Sequence, residues 1–356
     1  MTSAPAHDRH FWFDFVSDNI GVVDPTVMNL LTEANTGTAK AYGEDQLTAK
    51  LQADFSKLFD RQVWVFPVST GTAANSLGLS LLALPYSAIL CHETAHVFNR
   101  EAGAPEFFTG GAKIVPVGGN EGKIDPDAAR ARILELKSNQ RSNTQPRVIS
   151  LTQLSDWGTA YDLSELEQLA ALAEECKLSV HMDGARFANA VSGLGVDPGK
   201  VIQAGRVSVL SFGGTKNGLM NVDAIVVFDA ELAAEMRRRY RGTGQLLSKM
   251  RFASVQLSAY CEDDLWLKRA ERANNAARQI ASAFESVDGV RLAMPVHGNQ
   301  VFPIISDDLE TFLRSQGFLF SNWELGAKRF VCSAESRVET LLEALLQFRQ
   351  VSQTGS

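Results

Sequence analysis

Residues Val207–Gly218 read VSVLSFGGTKNG, and the fold turns on how that stretch is taken. Val207, Val209 and Leu210 are strand formers, and Gly213 and Gly214 break the strand just ahead of Lys216. A lysine among small residues at a strand end is either a solvated turn residue or a desolvated amine that attacks carbonyls, as in Schiff-base enzymes. Upstream, Leu178–Val180 followed by His181, Met182, Asp183, Gly184, Ala185 and Arg186 reads as a second short strand, ending at a carboxylate. Ligands of open α/β sheets bind beyond the carboxyl ends of the strands. The helix-length segment between Asp183 and Lys216 suits a β–α–β unit that delivers both side chains to one rim.

Pyridoxal phosphate needs such a pair, a lysine for its aldehyde and an aspartate to keep its ring nitrogen protonated. A carboxylate about 4 Å from that cation is worth roughly 4 kcal/mol at an effective dielectric near 20. On a surface helix the same residue contributes about 0–1 kcal/mol, so placement decides.

Moving outward, Val63–Val68 reads as a strand and Ala73–Leu84 as a helix, with Ser69, Thr70, Gly71 and Thr72 between them. Free backbone N–H groups and the positive dipole end at Gly71 and Thr72 offer a phosphate seat; a plain capped turn is the other reading. Ala88–Cys91, Lys113–Val117, Arg147–Leu151 and Ala224–Phe228 continue the strand series, and Asp162–Cys176 is a clearly amphipathic helix. His92, Glu93, Thr94, Ala95 and His96 follow a strand. His96 can be a satisfied polar residue or a ring that stacks on an aromatic cofactor, while His92, His96 and Glu101 match no zinc spacing, so no metal is expected. Ser17, Asp18 and Asn19 form a turn or helix cap, and residues 1–10 are polar and loose.

The 356 residues favour two domains, and the pattern divides them as 11–252, cofactor-binding, and 253–351, a smaller C-terminal α+β unit. Helical stretches at 265–286 and 336–350 flank short strands at Val290–Ala293, Gln300–Ile305 and Arg329–Cys332 in that unit. The fold class is therefore α/β, a mostly parallel sheet sandwiched by helices. A net charge of −7 argues against nucleic acid as a partner, and no apolar run approaches a membrane span. Cys91, Cys176, Cys261 and Cys332 show no CxxC spacing and read as reduced thiols, which with the lack of a signal-peptide pattern suggests a cytoplasmic enzyme.

Taken in order, Ser-Asp-Asn, Tyr-Gly-Glu-Asp (42–45), Gly-Thr-Ala-Ala-Asn (71–75), His-Met-Asp-Gly-Ala-Arg (181–186) and Gly-Gly-Thr-Lys (213–216) resemble the threonine aldolase family. That family belongs to fold type I of the pyridoxal phosphate enzymes, and the chain most resembles its low-specificity L-threonine and phenylserine aldolases. The likeness runs from about Phe15 to Phe348. It implies retro-aldol cleavage of β-hydroxy-α-amino acids to glycine and an aldehyde, with pyridoxal 5'-phosphate as cofactor. Lys216 would form the Schiff base, Asp183 pair with the ring nitrogen, and Gly71 and Thr72 bind the phosphate. His96 would stack on the ring and serve as a base. Ser17, Arg186 and Arg329 would contact the substrate carboxylate, with Arg186 also beside the cofactor. Arg251 would reach the phosphate of a neighbouring subunit, in a homodimer or homotetramer with shared active sites. A guanidinium fork on the carboxylate decides which Cα bond stands perpendicular to the ring, and so which bond breaks.

The chain departs from the family where many relatives carry Asn-Thr-His, for here residues 150–158 read SLTQLSDWG. The base on the substrate hydroxyl is then His96 or an ordered water, with Gln153 near the cofactor. A β-eliminating lyase, a serine hydroxymethyltransferase-like enzyme, and a non-catalytic α/β binding protein are the competing readings.

Overall fold

The computed structural model describes residues 14–138 and 144–354. The expectation for residues 1–10, and the first residues of the anticipated large domain, lie outside that range. Seven strands make the central sheet: β1 (Trp64–Val68), β2 (Ser87–His92), β3 (Lys113–Val117), β4 (Gln145–Thr152), β5 (Ser179–Gly184), β6 (Val207–Phe212) and β7 (Asp223–Val227). Their spatial order is β1-β7-β6-β5-β4-β2-β3. β3, β2, β4, β5 and β6 pair in parallel, whereas β7 runs antiparallel to both β6 and β1. Runs such as Ala224-Ile225-Val226-Val227 are buried throughout, as expected of strands covered by helices on both faces.

Local chemistry accounts for the element ends. Asp162 caps the helix Leu163–Cys176 in a reciprocal capping box with Glu165, and Lys177 closes it in the left-handed region at φ 58°. Thr70 caps the helix Gly71–Leu82 by accepting from the Ala73 N–H. Gly78 lets this helix lie close against the sheet, where a Cβ on it would lie 3.0 Å from Val209.

The largest apolar cluster spreads from Val27 to Ala270 and includes Phe55, Phe59, Phe187, Phe212 and Trp266. A second cluster joins Phe15 to Phe284, Phe318, Phe330 and Leu341. The helix Leu265–Glu285 spans both, with Trp266 and Ala270 in the first core and Ala276–Phe284 facing the second. The N-terminal strand of chain crosses into the second cluster, where the Phe15 N–H donates to Leu319 O and Phe15 O accepts from Val331 N–H, both at 2.8 Å. That crossing carries Asp18 over the rim of the central sheet.

The C-terminal strands are shorter than their composition suggested. Gln300–Ile305 splits at Phe302 into Gln300–Val301, which pairs with Lys328–Val331, and Pro303–Ile304, which pairs with Arg291–Leu292. Proline has no N–H for a continuous ladder, so the break falls beside Pro303. Between β5 and β6 the expected crossover holds two helices, Phe187–Leu194 and Pro198–Ala204, separated at Gly195 (φ 63°).

Candidate active site

The carboxyl ends of β1, β4, β5 and β6, together with the start of β7, open on one cavity of about 300 Å³. Lys216, Asp183, His96, Arg186, Gly71 and Thr72 all line it. Ser17, Arg329 and Arg251 are not among its lining residues. A more open groove of about 860 Å³ lies at the opposite end of the sheet, beside Val207 and Phe228, and is bordered by solvated Arg61, Lys200 and Arg206.

Lys216 sits in a single tight turn, Thr215–Asn217. The loop before it can pass only as glycine, because a Cβ on Gly213 would lie 2.2 Å from the Ala185 carbonyl oxygen. Asp223 Oδ1 accepts from the N–H groups of Gly214 (2.7 Å) and Thr215 (3.1 Å), and Asn217 Nδ2 donates to Trp266 O at 2.8 Å. Behind the turn, Arg269 donates through Nε to Asn217 O at 2.8 Å and pairs with Asp24 and Glu335. Burial, reinforced by the Arg186 cation, pushes the Lys216 amine below its usual range against the pull of Asp18, Asp183 and Asp223.

Asp183 is buried at the end of β5 with both oxygens engaged. Oδ1 accepts from the Ala185 N–H at 3.0 Å and Oδ2 from Asn75 Nδ2 at 3.0 Å. Asn75 Nδ2 also donates to Glu101 Oε1 at 2.8 Å, and the same oxygen meets His96 Nδ1 at 2.8 Å. Asp183, Asn75, Glu101 and His96 thus form one continuous chain. The hydrogen bond from Glu101 raises His96 against its burial; burial raises Glu101 despite its bond to His96. Both shifts favour a proton on the pair. Below the sheet rim, His181 is held between Ser150 (2.9 Å) and Ser211 (3.2 Å), and burial pushes it down to about 4.

Arg186 makes a two-point ion pair with Asp18, Nε to Oδ2 at 2.7 Å and Nη2 to Oδ1 at 2.9 Å, and Asn299 Nδ2 adds a bond at 3.0 Å. Burial alone would raise Asp18, but Arg186 and Lys216 hold it below the ordinary carboxylate range. Arg329 donates to Gln300 at 3.0 Å, lies over the Trp323 ring at 4.8 Å, and is pushed down to about 10 by burial and by Arg186. Ser17 Oγ accepts from the Asn19 N–H at 3.2 Å, the cap that its sequence suggested. Arg251 lies at the start of the helix Arg251–Cys261, beside Gly37 O at 3.5 Å.

One expectation changes. Gln153 does not face the cavity, because both ends of its amide are spent on the Tyr161 backbone at 2.9 Å. His92 turns to Thr94 at 2.8 Å, away from His96's partner Glu101. Sequence reasoning gave no role to Asn75 or Asp156 and weighed Glu101 only as a metal ligand, yet all three line the cavity. Asn75 could have been noticed as a buried amide in a helix otherwise of small and apolar residues, and Glu101 as the acid in the rejected metal spacing. Among the described residues no group of three or more histidine, cysteine or acidic side chains could hold a metal ion.

A family model for beta-eliminating lyases matches residues 14–308. The low specificity L-threonine aldolase of Pseudomonas aeruginosa is 40% identical over 338 residues, covering 95% of this chain and 97% of that protein. The enzyme of the same name from a Pseudomonas species is 39% identical over the same shares. The Leishmania major threonine aldolase structure superposes with a TM-score of 0.88 at 24% identity, covering 95% of this chain and 99% of that one. The chain belongs to the beta-eliminating lyase family, within its group of low-specificity L-threonine aldolases.

Proposed function

We propose that the chain cleaves L-threonine, L-allo-threonine or related β-hydroxy-α-amino acids, phenylserine among them, to glycine and an aldehyde, with pyridoxal 5'-phosphate as cofactor. The observation that carries this reading is the shared cavity of Lys216 and Asp183 at the carboxyl rim of one sheet. The donor set fits that cofactor: a buried amine, a carboxylate fixed by Asn75, and a helix N-terminus where a Cβ on Gly71 would meet nothing within 4 Å. When bound, the cofactor supplies a sink for the electron pair left at Cα.

Lys216, its amine desolvated, holds the aldehyde carbon. Asp183 holds a proton on the ring nitrogen, and Asn75 fixes the angle of its carboxylate. The unpaired N–H groups of Gly71 and Thr72 at the helix start receive the phosphate. His96 covers the ring face, its Nδ1 anchored by Glu101. Arg186, already oriented by Asp18, and Arg329 take the substrate carboxylate, with Ser17 acting through the turn that presents Asp18. The same reading makes the working unit a homodimer or homotetramer, with Arg251 serving the neighbouring site from outside its own cavity. Four unpaired cysteines support a reducing, cytoplasmic setting.

The test is product analysis of the cofactor-loaded protein. Glycine and acetaldehyde should form from threonine; pyruvate and ammonia from serine in their place would favour the β-eliminating alternative. Lys216→Ala should abolish turnover and leave no cofactor attached to the chain after borohydride treatment. Appreciable residual cleavage would overturn the role of the lysine.

A further inference from the structure

Four carboxylates line the cavity, and three have assigned partners. Asp183 accepts from Ala185 and Asn75, Glu101 from Asn75 and His96, and Asp223 from Gly214 and Thr215. Asp156, in the turn after β4, makes no hydrogen bond or ion pair among the described residues, and its Oδ2 is screened from solvent with no partner. Glu101 also keeps one free oxygen, Oε2, yet its other oxygen is tied twice and its side chain is wholly enclosed. Asp156 is half-buried, and a carboxylate oxygen screened from water with no donor is costly to keep. The hydroxyl of a β-hydroxy amino acid is the donor that such an oxygen lacks.

We propose that Asp156 receives the proton of the substrate's β-hydroxyl through Oδ2, and so is a catalytic residue of the cleavage. The inference rests on the function proposed above. The O–H bond breaks with its proton passing to the carboxylate, and the oxygen's electron pair becomes the aldehyde π bond. The Cα–Cβ bond breaks, its pair stays with the glycine fragment, and that carbon takes up one proton. Asp156 returns its own proton to water before the next turnover, which balances the charge. His96 is the less suitable acceptor, because its Nδ1 is already bonded to Glu101, a contact that favours the protonated ring.

The surroundings set the pH dependence. His92, His96, Arg100, Arg186 and Arg329 face Asp156 as present or potential cations, and Asp183 and Cys91 as groups of the opposite sense. Burial and Asp183 raise the carboxyl above its ordinary range, while His96, Arg100 and Arg186 hold it down. Only the ionised form accepts a proton, so kcat/KM should rise with pH through this ionisation.

The experiment compares Asp156→Asn with the wild-type holoenzyme on three readouts: cleavage of L-threonine and L-allo-threonine, the Kd for glycine, and exchange of the glycine α-hydrogen in heavy water. Glycine has no hydroxyl, so its Kd and exchange should be unchanged, while kcat for cleavage falls by about 100-fold or more and the acidic limb of kcat/KM disappears. Asp156→Glu should recover part of the rate. Melting temperature checks folding and should not fall, because an unpaired charge is removed; should Asp156→Asn not fold, Asp156→Ser is read the same way. Cleavage near the wild-type rate, or equal losses in cleavage, glycine binding and exchange, would overturn the assignment. A wild type that yields no glycine from either substrate takes the underlying function down as well, whereas a wild type that cleaves beside an unaffected Asp156→Asn sinks only the role of Asp156.

Discussion

The floor of the cavity and the wall beside it are built from the same kinds of side chain and behave in opposite ways. On the floor the polar side chains are tied to one another, with only Asn75 Oδ1 and Glu101 Oε2 left over: Asp183 is fixed by Asn75, Asn75 by Glu101, and His181 by two serines. On the wall that follows β4, Gln153 is satisfied by the backbone of Tyr161, yet Asp156 three residues later has no partner for Oδ2 among the described residues. A floor of linked side chains gives fixed positions, which suits a cofactor whose electronics depend on one carboxylate's angle. An unsaturated wall leaves an acceptor waiting, which suits a substrate that arrives and leaves each turnover.

The sharpest break of that contrast removes the carboxylate from the floor. Asp183→Ala leaves a ring cation without its partner, an interaction worth roughly 4 kcal/mol at an effective dielectric near 20. Steady-state kinetics should show kcat lowered by about a thousandfold, with cofactor still attached through Lys216. A loss of only a few fold would mean that the floor positions nothing.

Acid should separate the two regions next. His181 is pushed down to about 4 from an ordinary 6.5, so the unfolded chain binds a proton between those values while the native chain does not. Stability from this group is complete above about 6.5 and declines as pH falls, by about 3 kcal/mol at pH 4. Asp156 has the opposite sign: its raised carboxyl costs stability at neutral pH, and acid relieves that cost as it takes up a proton. Denaturant melts should show a shallower acid loss in His181→Gln than in the wild type, and a gain at neutral pH in Asp156→Asn. Parallel curves for wild type and His181→Gln would remove the floor histidine from the account.

The sequence carried the rim more clearly than the walls, for a physical reason. Val207–Phe212 ending on Gly213, and Ser179–Gly184 ending on Asp183, are local signals: buried strands read as apolar runs, and a strand end places its last side chain at the rim of the sheet. Asp18 needed the crossing of Phe15 into the second core before it could meet Arg186, a contact that joins residues far apart in the chain. Asn75 and Glu101 needed the helix Gly71–Leu82 to dock on the sheet before they could bridge His96 to Asp183. Gln153 was placed near the cofactor because it stands in the segment where relatives carry a histidine, but β4 ends at Thr152 and the amide just beyond it turns to the Tyr161 backbone. Arg329 and Ser17 sit beside the site without lining it, a distinction of position that no motif encodes.

The finest test of the contrast lies where floor meets wall, at Glu101. Its bond to His96 Nδ1 fixes the ring and favours the imidazolium, while its bond from Asn75 ties that ring to Asp183. Glu101→Gln keeps the size and one acceptor oxygen but removes the charge. A hydrogen bond to a charged group contributes about 1.5–3 kcal/mol, so a loss of roughly ten- to a hundredfold in kcat/KM is expected. The direction of the pH shift is the stricter readout: without the carboxylate His96 should titrate at lower pH, and any limb of the profile that it governs should move down with it. If the rate fell while the profile stayed in place, Glu101 would only be packing the helix. A shift without a large rate change would make His96 a ring support whose charge is incidental, leaving proton acceptance to the wall.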